Sequence, residues 1–166
     1  MDKIYRQGAI GALLDEYERA IADLKNVIEK IPDKLLTVIT DPDTGDENCR
    51  SIQAILAHVV HSGYGYATSI HNMKGNIIRR PGKIFHTTVK EYVDDLTSVF
   101  TFTENIFKEI KDDELEQFND SLKIQTGWGQ LYDTEQLTEH AIVHILRHRR
   151  QIERITLKEL GETIFS

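Results

Sequence analysis

The stretch Leu137-Thr-Glu-His140-Ala-Ile-Val-His144-Ile-Leu-Arg-His148-Arg-Arg-Gln151-Ile152 carries both a strong helical pattern and three of the seven histidines of this chain. On a helix, the spacing i, i+4, i+8 places these histidines in one row, with His144 and His148 about 40° apart and one turn apart along the axis. Four apolar residues share that arc: Leu137, Ala141, Ile152 and Ile155. The imidazoles therefore face the apolar side of the helix, where an unpaired polar group is costly and a partner is expected.

Two histidines at i and i+4 can supply two ligands to one metal ion. Imidazole is the commonest neutral metal ligand, and His-x-x-x-His pairs on helices recur in zinc-type catalytic sites. The alternative is a pair of core histidines that hydrogen-bond to neighbouring side chains, and the spacing alone leaves both open. A metal site would also need a third ligand from another part of the chain.

A second helix is predicted from its N-cap, Ser51, to about His71. On its helical wheel His61 lies nearly opposite the apolar stripe, which favours a solvated surface position. His58 lies on the flank of that stripe, about 60° from Ile55, where its side chain can turn into a crevice between helices. His58 is therefore the better candidate for the third ligand.

The early Leu-Ala-His58 in an amphipathic helix and the late His144-x-x-x-His148-Arg-Arg-Gln151-Ile152 resemble the DinB / YfiT-like superfamily of small metal-binding four-helix proteins. The resemblance covers nearly the whole chain. It implies a metal triad of one histidine from the second helix and two from the last, which maps onto His58, His144 and His148 and leaves His140 outside. The commoner family form has Gly where this chain has Arg150.

Four helical patterns organise the 166 residues, a length that predicts one domain, residues 1–166. Helix one is predicted from about Arg6 to Ile31, before Pro32. Helix three begins at the capping box Thr88-Val-Lys-Glu91 and runs to about Ile110, and helix four covers Thr134 to about Leu160. The fold class is all-α, and the resemblance makes it an up-down-down-up four-helix bundle with long connecting loops.

Two features inside these patterns concern packing and the loops. Gly63 lies on the buried stripe of helix two, which indicates either a close approach by another helix or a kink. The segment Ser121 to Tyr132 is predicted to be extended and to lead into helix four. Its aromatic residues, Trp128 and Tyr132, either line a pocket near the metal or close the end of the core.

The formal net charge of −7, with 27 acidic against 20 basic residues, argues against a nucleic-acid partner, because phosphate contacts require lysine and arginine. One basic cluster occurs in helix four. We interpret it as a solvated face turned away from the histidines and paired with Glu139 and Glu153; its members are Arg147, Arg149, Arg150 and Arg154.

No run of 18 apolar residues and no signal pattern is found, so we expect a cytoplasmic protein without a membrane partner. The lone cysteine, Cys49, excludes an internal disulfide and a cysteine-type zinc site. We interpret it as an ordinary residue between a loop and helix two, with nothing beside it in sequence that would activate its thiol.

Three neutral imidazoles would leave a divalent ion its charge and at least one open position. The resemblance implies metal-dependent hydrolysis or transfer of a low-molecular-weight thiol to an electrophilic small molecule. We expect thiol transfer first, as an S-transferase, and hydrolysis second. A non-catalytic metal- or ligand-binding bundle is a further alternative, as is an interaction module in which Ile142, Val143 and Leu146 pack on helix three or form a homodimer interface.

Three-histidine sites accept several metals. We expect zinc or nickel first, with manganese or iron as alternatives. Gln151 follows His148 by three residues on the same arc, so it either supports the site from outside the ligand shell or makes an interhelical hydrogen bond.

Overall fold

The computed structural model describes residues 4–161, in which four apolar stripes form four long helices. The helices are α1 (Gly8–Ile28), α2 (Ile52–Asn72), α3 (Val89–Phe107) and α4 (Thr134–Leu160). The only sheet in this range is a hairpin of β1 (Ile124–Gln125) and β2 (Leu131–Tyr132), with Ile124 opposite Tyr132 and Gln125 opposite Leu131. Four 3-10 turns lie in the loops: Asp33–Leu35, Glu47–Cys49, Asp112–Glu114 and Asp120–Leu122. The all-α prediction is confirmed.

Side-chain caps set three of the helix starts. The Ser51 hydroxyl accepts a hydrogen bond from the backbone nitrogen of Ala54 at 3.1 Å, as its N-cap position predicts. Thr88 and Glu91 form the predicted capping box, and Asp133 forms a second one with Gln136 at the start of α4.

The first helix is shorter at both ends than the sequence predicts. It begins at Gly8, which has a φ of +79°, and its first backbone nitrogens donate to the carboxylate of Asp112, from Ala9 at 3.1 Å and from Ile10 at 3.0 Å. Arg6 is held outside the helix because its backbone nitrogen donates to Asp15 at 3.0 Å. Both interactions join residues that no local pattern connects.

Two pairs of neighbouring helices are antiparallel. The start of α1 lies near the end of α3, where Arg6 pairs with Glu104 at 2.8 Å, and the end of α1 lies farther back on α3, where Lys25 donates to Thr97. Between α2 and α4 the ring centroids of His58 and His148 are 5.2 Å apart, and farther along both helices the rings of Tyr66 and His140 are 5.5 Å apart.

The two other neighbouring pairs are parallel. Tyr92, near the start of α3, donates to the carbonyl of Gln53 near the start of α2, and Phe102 lies against Tyr64 about three turns later in both helices. On α1, Asp23 pairs with Arg149 near the end of α4, while the early residues Ala9 and Leu13 border a cleft with Glu139. These contacts confirm the up-down-down-up order.

Gly63 marks a close approach of α2 and α3 rather than a kink. A β-carbon added there would lie 2.9 Å from Cγ2 of Val99 and 3.4 Å from the hydroxyl of Tyr17. The helix is continuous through this position. Glycine therefore allows α3 to pack tightly on the buried face of α2.

The connection between α2 and α3, residues 73–88, is called the strap here. Because these two helices are parallel, the strap must run back along the whole length of α2. It does so in contact with that helix: Ile78 bonds to Asn72 at its end, Arg80 lies over Gly65, and the His86 carbonyl accepts from Gln53 at 2.8 Å. The strap therefore covers a face of α2 that its helical wheel predicts to be solvated.

Of the two roles considered for Ile142, Val143 and Leu146, a homodimer interface or packing on helix three, the second is not the observed arrangement. In the helix arrangement α4 neighbours α1 and α2, and Ile142 and Leu146 border a cleft with Glu16 and Ala20 of α1. Val143 is 61% exposed.

In residues 4–161, no helix is long and apolar enough to cross a membrane.

Candidate metal centre

Three histidines meet in the crevice between α2 and α4. His58 reaches in from α2, and His144 and His148 reach in from consecutive turns of α4. One ring nitrogen from each lies within 4.8 Å of the other two, and the Nε2 atoms of His58 and His144 are 3.0 Å apart. His148 is buried and the other two are half-buried. The structure thus brings together the three residues that the sequence nominates as ligands.

Burial keeps these imidazoles neutral. It lowers the pKa of His58 to about 4 and that of His144 to about 3, and the other histidines of the cluster and nearby cationic side chains, Lys83 and Arg147, act in the same direction. Burial also lowers the pKa of His148, against the opposing effect of its hydrogen bond to Gln151. At neutral pH all three rings therefore offer a lone pair, the form that a metal requires.

Partners on the outer nitrogens orient two of the rings. His148 donates from Nδ1 to Oε1 of Gln151 at 3.0 Å, which leaves its Nε2 without a proton. The Nδ1 atom of His58 lies 3.5 Å from the Ser62 hydroxyl. Of the two roles predicted for Gln151, the structure supports orientation of a candidate ligand, because its oxygen faces His148 within the same helix.

The donor set fits one divalent ion. Two nitrogens bound to zinc at about 2.0–2.1 Å in tetrahedral geometry stand about 3.3 Å apart, close to the 3.0 Å between His58 and His144. Without an ion, one of these Nε2 atoms donates its proton to the other, and a bound cation would replace that proton. Burial keeps the rings neutral, and with the third nitrogen within 4.8 Å the cluster can present three lone pairs to one cation.

Two loop residues near the triad were missed by sequence reasoning. Asp46, just before the Glu47–Cys49 turn, is close enough for its charge to raise the pKa of His58 and His148. Lys83 of the strap donates to Oδ1 of Asn48 at 2.5 Å and so ties the strap to that turn. Asp-Glu-Asn at 46–48 reads locally as a turn, and nothing in its pattern indicates that the fold brings it to the α2–α4 crevice.

Cys49 also lies closer to the site than its sequence context indicates. Its sulfur is 3.6 Å from Oδ2 of Asp46 and 3.9 Å from Oε1 of Gln151, the oxygen that His148 contacts. The turn of residues 47–49 thus forms one wall beside the histidines.

Aromatic rings extend the histidine row toward the hairpin. His140 stacks on Trp128 with ring centroids 4.8 Å apart, and Tyr66 lies 5.7 Å from His144. Within residues 4–161, His140 is not part of the group whose ligand atoms converge. Trp128 is 49% exposed, so it borders the open side of this row and does not close the core.

Two surface assignments from the sequence are wrong. His61 is only partly exposed: residues of the strap lie near it, its Nδ1 is buried without a hydrogen-bond partner in the described residues, and burial lowers its pKa. The arginines of α4 do not form one paired face turned away from the histidines. Arg149 pairs with Asp23 and Glu153, whereas Arg147 is near enough to lower the pKa of His144. A wheel for one helix shows neither the strap nor α1.

Comparison with known proteins agrees with this geometry. The model of a family described as the DinB family matches residues 5–165. No curated protein and no solved structure matches the chain.

Proposed function

The chain belongs to the DinB family, and from that membership we propose that it is a metal-dependent enzyme acting on small molecules, in which His58, His144 and His148 hold one divalent ion. The reaction proposed first is S-transfer: a low-molecular-weight thiol loses its proton to solvent, its sulfur forms a bond to an electrophilic carbon, and a leaving group departs with the electron pair.

One observation carries the proposal: three neutral imidazoles, one buried and two half-buried, converge with ring nitrogens within 4.8 Å, and no fourth histidine, cysteine or carboxylate of residues 4–161 joins them. Structural zinc sites are closed by four protein ligands, whereas catalytic sites use three and leave a position open. When bound, a divalent ion with an open position lowers the pKa of a thiol or a water molecule that reaches it.

Side chains of the protein would orient a ligand, limit the access of water and contact the substrate. Gln151 accepts the Nδ1 proton of His148 and so holds the tautomer that presents Nε2. The strap and the Glu47–Cys49 turn, joined by Lys83 and Asn48, limit access of water from one side. Tyr66 and Trp128 offer flat apolar surfaces along the histidine row.

Thiol transfer is favoured over hydrolysis by the weakness of the nearest candidate base. Hydrogen bonds from Asn48 lower the pKa of Asp46, so its carboxylate is ionised but accepts protons poorly. A thiol with a pKa of about 8.5 needs less help to ionise than water, at about 15.7. A site without a strong base therefore suits a thiol better.

The first test is the metal content of full-length protein purified without an affinity tag. One equivalent of zinc or nickel, or of manganese or iron, supports the proposal. Protein that takes up no divalent ion, even after incubation with each of the four metals, overturns it.

The second test addresses turnover. Metal-free protein is reloaded with each metal and assayed for conjugation of several low-molecular-weight thiols to a reactive halide and an epoxide, in parallel with ester and amide hydrolysis. Metal-dependent conjugation supports S-transfer, and hydrolysis alone assigns the alternative reaction. If metal binds and neither reaction is observed, the chain is a non-catalytic metal-binding bundle.

A further inference from the structure

An arginine-lined groove lies on α4 beside the histidine triad. Its volume is about 560 Å³, and all of its lining residues come from this one helix: Val143, Leu146, Arg147, Arg150, Gln151 and Arg154. The three arginines stand three and four residues apart, so they are neighbours on the helix surface. We call these six residues the arginine groove.

The three guanidinium groups lack acidic partners. Within residues 4–161, neither Arg147, Arg150 nor Arg154 forms an ion pair, although Arg149 between them pairs with Asp23 and Glu153. Like charges at this spacing destabilise a helix. Arg147, Arg150 and Arg154 are exposed, so in a chain with 27 acidic and 20 basic residues they form a local positive surface that can attract an anion from outside the protein.

The groove adjoins the candidate metal centre through Gln151. The same side chain that accepts from His148 at 3.0 Å lines the groove, and it also lines a second cleft with Cys49 and Arg154. A molecule bound in the groove would therefore lie next to the ring that Gln151 orients. Val143 and Leu146 add an apolar part to the lining of the groove.

We propose that the arginine groove binds the anionic end of the small-molecule substrate, a carboxylate or a phosphate attached to an apolar or thiol-bearing part. This inference rests on the proposed function and extends it, because it assigns a charge to the substrate. Planar guanidinium groups match both oxyanions through paired hydrogen bonds. The groove is one helix wide and the chain is acidic overall, which favours a small anion over nucleic acid.

Binding can be measured without metal or turnover. Full-length, chelator-treated protein is titrated with phenyl phosphate, 3-phenylpropionate and the neutral 3-phenylpropanol, by calorimetry and by NMR of the arginine Nε–H groups. We expect both anions to bind and to shift the signals of Arg147, Arg150 and Arg154, while the alcohol does not bind. The tighter anion identifies the source of the charge.

Variants then locate the site. Each of Arg147→Gln, Arg150→Gln and Arg154→Gln should weaken the binding of the anions by about 10-fold, the loss expected when a charged hydrogen bond is removed. The matched control is Arg79→Gln on the strap, an exposed arginine outside the groove, which should leave affinity unchanged. Thermal unfolding of each variant verifies that the helix is intact.

Three results would overturn the inference. They are the absence of anion binding, equal losses in Arg79→Gln and in the groove variants, and tighter binding of a single-stranded oligonucleotide titrated under the same conditions, which would make the arginine groove a nucleic-acid surface. Because the assay uses metal-free protein, any of them leaves the metal proposal standing. Conversely, anion binding in a protein that takes up no metal would support the arginine groove as an anion site and overturn the proposed metal centre.

Discussion

The chemistry of the candidate centre depends on how individual imidazoles are held. His58, His144 and His148 lie where burial lowers their pKa values, so each ring stays neutral without a carboxylate in direct contact. Neutral imidazole is the form that binds a metal, and the contribution of each ring to metal affinity can be measured by replacing one histidine at a time.

Replacing any one of His58, His144 or His148 by alanine should reduce metal affinity by more than about 10-fold, since even an outer partner of a ligand is worth about 10- to 100-fold. The measurement is competition with a chromophoric chelator. His140→Ala is the matched control, because its ring stacks on Trp128 outside the converging group. Loss of metal in His140→Ala with retention in His58→Ala would show that the assigned triad is wrong.

Gln151 offers a subtler test. Gln151→Ala removes the acceptor of the His148 Nδ1 proton, and metal affinity should fall by about 10- to 100-fold. Gln151→Glu keeps an acceptor and should bind at least as tightly as the alanine variant. Gln125→Ala, an exposed glutamine on β1, serves as control. Equal affinities for Gln151→Ala and the native chain would mean that the contact has no part in binding.

Among the secondary-structure elements, α2 determines the geometry of the site, since it contacts α3 on one face, α4 on another and the strap along its length. Two glycines of α2 lie at two of these contacts: Gly63 faces α3 and Gly65 faces the strap. At Gly63 an added β-carbon meets the stiff side chain of Val99 at 2.9 Å, whereas at Gly65 it meets the far end of the flexible Arg80 side chain at 2.8 Å.

The two glycines should therefore respond in opposite ways to substitution by alanine. Gly63→Ala should lower the free energy of unfolding, because overpacking costs about 1–3 kcal/mol and exceeds the helix gain of about 0.8–1 kcal/mol. Gly65→Ala should raise it by up to about 1 kcal/mol, since Arg80 can move aside. Urea denaturation measures both.

A shortened neighbour provides the control for Gly63. In a Val99→Ala background the steric conflict is removed, and Gly63→Ala should then be neutral or stabilising. If Gly63→Ala destabilises the protein equally in both backgrounds, the cost does not come from the contact with Val99.

For the whole molecule, the buried histidines link folding to pH. Their folded pKa values, about 4 for His58 and about 3 for His144, lie below the ordinary value of 6.5. The unfolded chain therefore takes up protons first as the pH falls. The stability that these neutral rings contribute is complete above the unfolded value and is lost as the pH decreases from 6.5 toward the folded values.

Metal-free protein should accordingly lose urea resistance between about pH 7 and about pH 5. The matched control is the triple variant His58→Gln, His144→Gln, His148→Gln, in which this loss should be smaller, with a remainder from His61 and His140, whose pKa values burial also lowers. Identical pH profiles for the native chain and the triple variant would contradict the linkage.

Local sequence patterns were sufficient to predict the four helices and the neighbouring histidines of α4. Periodicity and capping residues predicted four helices, with α4 placed at Thr134–Leu160 as observed, because helical pitch and caps depend on residues a few positions apart. The same pitch places His144 and His148 side by side. The wheel of helix two favoured His58 over His61 as the third ligand, although His58 lies 86 residues from His144, and the resemblance to a family supplied the bundle order and the complete triad.

Long-range packing determined the contacts between helices and loops that the sequence patterns did not predict. The strap lies near His61, and its Lys83 bonds to Asn48. Cys49 lies near Gln151, and Ile142 borders α1 and not α3. Each of these contacts joins parts of the chain that are far apart in sequence. No helical wheel contains that information, since each wheel describes one element in isolation. The partners of a side chain from another helix or loop follow from tertiary contacts, and those contacts make a histidine row into a candidate metal centre.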